Sequence, residues 1–366
     1  MRIAFFGSSI LSSYWNGAAT YYRGLLRALA DLGYQITFYE PDAYGRQQNR
    51  DFDELPWVKS VIYGGEDLAA LERCLSDAEN ADIVVKASGV GVFDELLEQR
   101  IADLGGSRTV IFWDVDAPAT LDRVLSNTAD AFRPAIGNYD AIFTYGGGQR
   151  VIETYRSLGA RACVPIYNAV DPNTHFPVDS QPALECCLAF QGNRLPDREK
   201  RVDEFFFYPA SSVPEEAFIL GGSGWDDKAK PSNVRYVGHV STQLHNAFNS
   251  SAKFVLNINR DSMVSYGFSP PTRVFEAAAS AACLISDAWQ GIEMFLEPDR
   301  EILIARDGAQ VAEMIRTVSD ERAREIGRAA RKRVTTEHTY AHRALQVDNV
   351  LRDLKREDET AQKVFA

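Results

Sequence analysis

Cysteine is scarce in this sequence, with five residues among 366 and no C-x-x-C pair. The number is odd, and most of these cysteines lie in apolar, strand-like surroundings. A disulfide framework is therefore not expected, and the same spacing argues against a zinc site. Together these features favour a reducing compartment, so we expect a cytoplasmic protein.

Long apolar runs are also missing. No run approaches the roughly 20 residues needed to span a bilayer, and the opening MRIAFFGSS passes directly from a strand into a polar loop, unlike a signal peptide. We therefore expect no integral membrane segment.

Positive charge is in deficit, because 51 acidic residues outnumber 39 basic ones and give a formal net charge of −12. This charge argues against nucleic acid or an anionic membrane as the main partner. The 45% hydrophobic and 25% charged composition is that of a globular chain, and the length predicts two domains.

Strands and helices alternate along both halves of the chain, which predicts an α/β protein with parallel sheets. The first half opens with a strand at residues 2–6, a helix at 20–32 and a strand at 35–39. Glu40 then stands where a dinucleotide-binding domain places its ribose-binding acid. The first loop lacks G-x-G-x-x-G, so we interpret Glu40 as a surface or loop-anchoring residue.

Candidate ligand-binding residues of the first half follow its predicted strands, because ligands of open α/β sheets bind beyond the carboxyl ends of the strands. Asp114 and Asp116 follow the strand at 109–113, although Asp114 is equally consistent with capping a loop. Ser8 lies in the first polar loop. Gly147 belongs to three glycines between a strand and a helix, where the backbone can approach a ligand.

The second half offers basic and glycine-rich loops at the same kind of position. Arg194 and Arg198 follow the strand at 188–191, and arginine matches phosphate oxygens with its planar fork. We interpret the neighbouring Lys200 and Arg201 as a solvated helix face. Gly222 and Trp225 follow the strand at 218–220, where Trp225 either lines a ligand site or fills a core edge.

Residues 265–287, SYGFSPPTRVFEAAASAACLISD, are the most informative stretch. Two prolines predict a helix start that places Thr272 and Arg273 in the first turn, and residues 283–287 predict a buried parallel strand. A helix start with an arginine suits a phosphate, and Glu276 one turn later could accept both hydroxyls of a ribose. An ordinary amphipathic helix with a solvated Arg273 and Glu276 is the alternative.

This stretch resembles the donor-site segment of GT-B glycosyltransferases, and RVFEAAASAACLISD with GIEMFLEPDREIL is similar to the CgeB-like group, typified by spore maturation proteins. Many retaining GT-B enzymes carry two glutamates here separated by seven residues; Glu276 matches the second, and Phe268 occupies the position of the first. The segment WDVDAPATL also resembles that group, and NAVDPNTHFP is similar to the GT-B interdomain linker.

The resemblance implies a GT-B fold, with two Rossmann-like domains whose parallel sheets face each other across a cleft. Residues 1–170 would bind the acceptor, residues 171–339 would bind a nucleotide-sugar donor, and residues 340–366 would form a helix crossing back to the first domain. It also implies base contacts from His239 and Val240, and makes Asp116 the candidate catalytic base.

Three functions are consistent with these features. The first is a metal-independent glycosyltransferase that uses a nucleoside-diphosphate sugar as substrate, needs no cofactor or metal, and acts on an acceptor that is a glycan, a protein or a small molecule. The second is a nucleotide-sugar epimerase of GT-B type. The third is an inactive sugar-nucleotide or glycan-binding module, which the absence of the first glutamate leaves open.

Overall fold

The computed structural model describes residues 1–106 and 108–364, with residues 357–364 described by their backbone alone. Its contacts divide the chain into two compact units. The first contains Met1–Asn168 together with the segment from Tyr340 onward, and the second contains Ala169–Thr339.

The first unit is built on a seven-stranded parallel sheet with the strand order β3-β2-β1-β4-β5-β6-β7. Its central strands are buried on both faces, as the continuous apolar runs predicted. The order reverses between β1 and β4, which opens a ligand-sized crevice beyond their carboxyl ends in folds of this kind. The strands are β1 (Arg2–Phe6), β2 (Gln35–Asp42), β3 (Lys59–Gly64), β4 (Ile83–Ala87), β5 (Thr109–Asp114), β6 (Ala141–Thr144) and β7 (Cys163–Pro165).

Helices connect these strands in the alternating order that the sequence predicted. Periodic apolar residues account for the helix predicted at residues 20–32, which the structure has at Ala19–Asp31. The helices are α1 (Ala19–Asp31), α2 (Leu68–Ala78), α3 (Asp94–Ala102), α4 (Ala117–Ser126), α5 (Phe132–Ala135) and α6 (Gly148–Ser157).

The second unit carries a six-stranded parallel sheet with the order β10-β9-β8-β11-β12-β13. Here the order reverses between β8 and β11, so the loops after these two strands border the crevice of this sheet. Its strands are β8 (Cys186–Gln191), β9 (Phe218–Gly221), β10 (Val234–Gly238), β11 (Ala252–Asn257), β12 (Cys283–Asp287) and β13 (Leu303–Ala305).

The helices of the second unit cover a core of aromatic and aliphatic side chains that includes Phe206, Trp225 and Phe254. A π-helical turn at Asp203–Phe207 joins the first two helices. The helices are α7 (Glu199–Val202), α8 (Tyr208–Ser212), α9 (His245–Ser251), α10 (Asp261–Tyr266), α11 (Thr272–Ala279), α12 (Gly308–Thr317) and α13 (Asp320–Glu337).

The terminal helix α14 (Tyr340–Val364) packs on α1 of the first unit. Gly24 of α1 permits this packing, because a Cβ there would lie 2.1 Å from the ring of Tyr340. The hydroxyl of Tyr34 also donates a hydrogen bond to Asp348, with an O···O distance of 2.8 Å. In the described part of the chain, no helix combines the length and apolar character required to cross a bilayer.

Candidate functional site

The candidate site of the second unit lies at the carboxyl edge of its sheet, where the loop after β8 borders the crevice. This loop packs tightly against the loop after β9. Gly222 has a φ of +113°, and a Cβ there would lie only 2.3 Å from the carbonyl oxygen of Gly192. The indole N–H of Trp225 donates to the same carbonyl at 2.7 Å. Trp225 is fully buried, so it fills the core and supports the loop instead of lining a ligand surface.

Arg198, at the end of this loop, is held in place without a carboxylate partner. One of its terminal nitrogens donates to the carbonyl of Asn193 at 2.8 Å, while its buried Nε has no hydrogen-bond partner. Burial lowers the pKa of Arg198. A buried guanidinium with an unused donor is costly unless an anion completes it.

Arg273 brings a second positive charge to the same place. It lies in the first turn of α11, which starts after Pro271 as predicted and which no described side chain caps. Its guanidinium lies 5.4 Å from the ring centroid of Phe190, and the structure gives it no hydrogen bond or ion pair within the described residues. Burial and the charge of Arg198 lower the pKa of Arg273 to about 10, against the opposing effect of Glu276. The two arginines therefore repel each other in a partly desolvated position, an arrangement that an anion would relieve.

Glu276 faces two histidines that the sequence analysis did not single out. The Nε2 atom of His175 lies 3.8 Å from Oε1 of Glu276. His245 completes the group, and one ligand-type atom from each of the three residues lies within 4.8 Å of the other two. These residues come from the interdomain linker segment, from α9 and from α11, so no local sequence pattern joins them. Burial lowers the pKa of His245, and the nearby Glu276 opposes this shift.

The other basic candidates of the β8 loop have different environments. Arg194 is held in ion pairs with Glu199 at 2.8 Å and Asp227 at 2.9 Å, and these hydrogen bonds raise its pKa. Lys200 is exposed, as predicted. The prediction for Arg201 was wrong: it is not a solvated residue but pairs at 2.6 Å with the fully buried Asp287 at the end of β12. A buried carboxylate requires such a partner, which helical periodicity alone cannot reveal.

The two residues after β10 differ from each other. His239 is exposed, whereas Val240 is buried in a small apolar cluster with Phe248. Space around this valine is tight, because a Cβ at Gly221 would lie 2.7 Å from its side chain. Any contact of Val240 with a ligand therefore has to come from its backbone.

In the first unit, Asp114 organises the loop that leads into α4. It is fully buried and accepts hydrogen bonds from the hydroxyls of Tyr155 and Thr120 and from the backbone N–H of Asp116. Burial raises the pKa of Asp114. The loop-capping alternative is therefore the one that the structure supports for Asp114, and its effect is to fix the backbone at Asp116. The side chain of Asp116 is partly exposed at the start of α4.

The remaining candidate residues of the first unit fix the conformation of loops. Ser8 is buried and donates to Asn16 at 2.9 Å. Gly147 precedes α6 with a φ of +102°, and a Cβ there would lie 2.1 Å from Val151. Glu40 is confirmed as a loop anchor, since its carboxylate accepts a bond of 2.6 Å from the backbone N–H of Ile10.

Comparison with known proteins adds two findings. Residues 198–349 match the family model described as "Glycosyl transferase-like", and no curated protein matches the chain. Solved structures share the fold along almost the whole chain. Sucrose-phosphate synthase from Thermosynechococcus elongatus is similar with a TM-score of 0.70 at 15% identity, covering 98% of this chain and 100% of that one.

Two further similar structures are complexes with a nucleotide. Anabaena HepE, in complex with UDP and glucose, has a TM-score of 0.64 at 12% identity and covers 96% of this chain and 100% of its own. An alpha-glucosyltransferase in complex with UDP and a 13-mer DNA has a TM-score of 0.70 at 11% identity, covering 96% and 99%. The chain thus has the GT-B fold, as predicted, and a region at residues 198–349 that matches a glycosyl transferase-like family model.

Proposed function

We propose that the protein is a glycosyltransferase that moves a sugar from a nucleoside-diphosphate sugar to an acceptor. The observation that carries this proposal is the arginine pair, Arg198 and Arg273, which lies partly desolvated and without carboxylate partners beside Glu276. A diphosphate supplies the missing negative charge. The matched family region and the fold support the same class of reaction.

The donor would be bound without a metal ion, because the two arginines and the uncapped start of α11 supply the positive charge and N–H donors that a diphosphate needs. Thr272 adds a hydroxyl in the same turn. Glu276 would accept the two ribose hydroxyls, and the backbone at Val240 would contact the base. The UDP in the descriptions of HepE and the alpha-glucosyltransferase makes UDP the first nucleotide to test.

In the reaction, the bond between the anomeric carbon and the phosphate oxygen breaks, and its electron pair leaves with the diphosphate. The acceptor oxygen forms the new bond to that carbon. We propose that the carboxylate of Asp116 takes the proton of the acceptor hydroxyl, as a base does in an inverting transferase. A retaining enzyme would use the donor phosphate for this step, and Asp116 would then orient the acceptor.

Phe268 weakens the inference of a retaining mechanism from this segment. It stands where many retaining GT-B enzymes have their first glutamate, in a backbone with a φ of +46°. The configuration of the product at the anomeric carbon decides between inversion and retention. We also propose that the protein belongs to the CgeB-like group, which the segments at residues 265–287 and 113–121 resemble.

Incubation with a panel of nucleotide sugars tests the proposal against its alternatives. Slow hydrolysis with release of nucleoside diphosphate, accelerated by the right acceptor, supports the transferase. An isomerised donor would indicate an epimerase, and tight binding without turnover a binding module. Failure of every nucleotide sugar to bind, measured by calorimetry with EDTA present, would overturn the proposal.

A further inference from the structure

The two histidines facing Glu276 are held in a defined orientation by their neighbours. The hydroxyl of Thr174 donates its proton to the carbonyl of Asp171 at 3.0 Å. That hydroxyl also lies 3.0 Å from Nδ1 of His175, and with its own proton on the Asp171 carbonyl it accepts the Nδ1 proton. Neutral His175 is thereby fixed in the tautomer that has its lone pair on Nε2.

This lone pair faces another electron-rich atom. Nε2 of His175 and Oε1 of Glu276 are 3.8 Å apart, too far for a hydrogen bond and without a described proton donor between them. On the other side, Nε2 of His245 lies 2.8 Å from the side-chain amide of Gln191, and the backbone of Val240 makes a further hydrogen bond to this imidazole. The amide nitrogen of Gln191 donates to His245, whereas Nε2 of His175 and Oε1 of Glu276 converge without a donor. A cation placed among the three residues would satisfy these two atoms and could take over the lone pair of His245.

We propose that His175, His245 and Glu276 bind a divalent transition-metal ion of the zinc and cobalt class. Two neutral imidazoles and one carboxylate are a ligand set that such ions favour over magnesium or calcium. The hydrogen bond from Nδ1 of His175 to Thr174 is the kind of outer contact that orients a metal-binding histidine. The amide of Gln191, by turning its oxygen inward, would supply a fourth ligand.

The neighbouring charges set the strength of this site. Arg273 lies close enough to disfavour positive charge on His245, so it also opposes a metal ion. Only Glu276 contributes a negative charge to the ligand set. We therefore expect reversible binding, and because the same carboxylate serves the ribose in the proposed function, nucleotide and metal should compete.

Cobalt titration of the metal-free protein tests the proposal through the visible absorption of bound Co²⁺. One Co²⁺ per chain is expected, with binding at least tenfold weaker in His175→Gln and in His245→Gln. The matched control is His342→Gln, since His342 is an exposed histidine on α14 and its loss should leave binding unchanged. Thr174→Val is a milder variant at an exposed position, and its affinity should fall roughly tenfold or more because Nδ1 loses its acceptor.

Absence of saturable Co²⁺ binding to the wild-type protein would overturn the proposal. Binding that persists unchanged in both His175→Gln and His245→Gln would do the same, and circular dichroism identifies any variant that fails to fold. Binding that is lost in the folded Thr174→Val variant supports it independently. If Co²⁺ binds at these residues and UDP does not displace it, the metal site stands and the assignment of Glu276 to the ribose fails.

Discussion

Replacing Arg273 with methionine tests whether this arginine binds a ligand or stabilises the fold. Methionine keeps the unbranched stem over the Phe190 ring and removes the charge. The lost charged hydrogen bonds to a diphosphate are worth about 1.5–3 kcal/mol. Since about 1.4 kcal/mol corresponds to a factor of ten, the Kd for UDP should rise roughly 10- to 100-fold.

The effect on stability should go the other way. Burial and the charge of Arg198 lower the pKa of Arg273 to about 10, well below the usual range of an arginine. At about 1.4 kcal/mol for each pKa unit, the charged form costs the folded state on the order of 3 kcal/mol near neutral pH. A cation–π contact of about 0.5–1 kcal/mol is lost with the charge. We therefore expect Arg273→Met to keep or raise the free energy of unfolding.

Arg201→Met is the matched comparison, because this arginine pairs with the fully buried Asp287. Removing it leaves a buried carboxylate unpaired, which typically costs about 3–5 kcal/mol. Urea unfolding and calorimetry with UDP on both variants give the answer. An Arg273→Met protein that is destabilised and binds UDP as tightly as the wild type would show that Arg273 is structural and does not bind the diphosphate.

Four further predictions use the same assays. Glu276→Ala should weaken UDP binding by about 1–3 kcal/mol in EDTA through loss of the ribose bonds, and undiminished affinity in calorimetry would remove Glu276 from the site. Asp116→Asn should lower turnover roughly a hundredfold with nucleotide affinity unchanged, whereas near-normal turnover with the true acceptor would exclude a base role. Asp114→Ala should lower the free energy of unfolding by about 2–4 kcal/mol, because buried hydroxyls lose their acceptor; a change below about 1 kcal/mol in urea would contradict this. Gly222→Ala should destabilise the protein more than Gly238→Ala in thermal melts, because both have positive φ but only Gly222 lacks room for a Cβ; equal shifts would argue against the tight loop packing.

Local sequence patterns were sufficient to predict most of the helices and strands. Short-range chemistry accounts for the start of α11 after two prolines, the strand that ends at Asp287 and the helix predicted at residues 20–32. Glu40 was interpreted correctly as a loop anchor because the motif for the alternative was absent.

The parts that sequence reasoning missed depend on distant contacts. His175 lies 70 residues before His245 and 101 residues before Glu276, and only the fold brings the three together. The Arg201–Asp287 pair spans 86 residues, so its helix looked solvated. The sequence left two roles open for Trp225, and its full burial together with the hydrogen bond to Gly192 decides for the core.

We propose that the edge of the second sheet binds a nucleoside diphosphate through Arg198, Arg273 and Glu276. A crystal structure with UDP, grown in EDTA, tests it most directly. We expect the diphosphate to lie against the two guanidinium groups at the start of α11 and the ribose hydroxyls to bind the carboxylate of Glu276. A nucleotide bound elsewhere on the chain, or oriented with its base at the arginine pair, would contradict it.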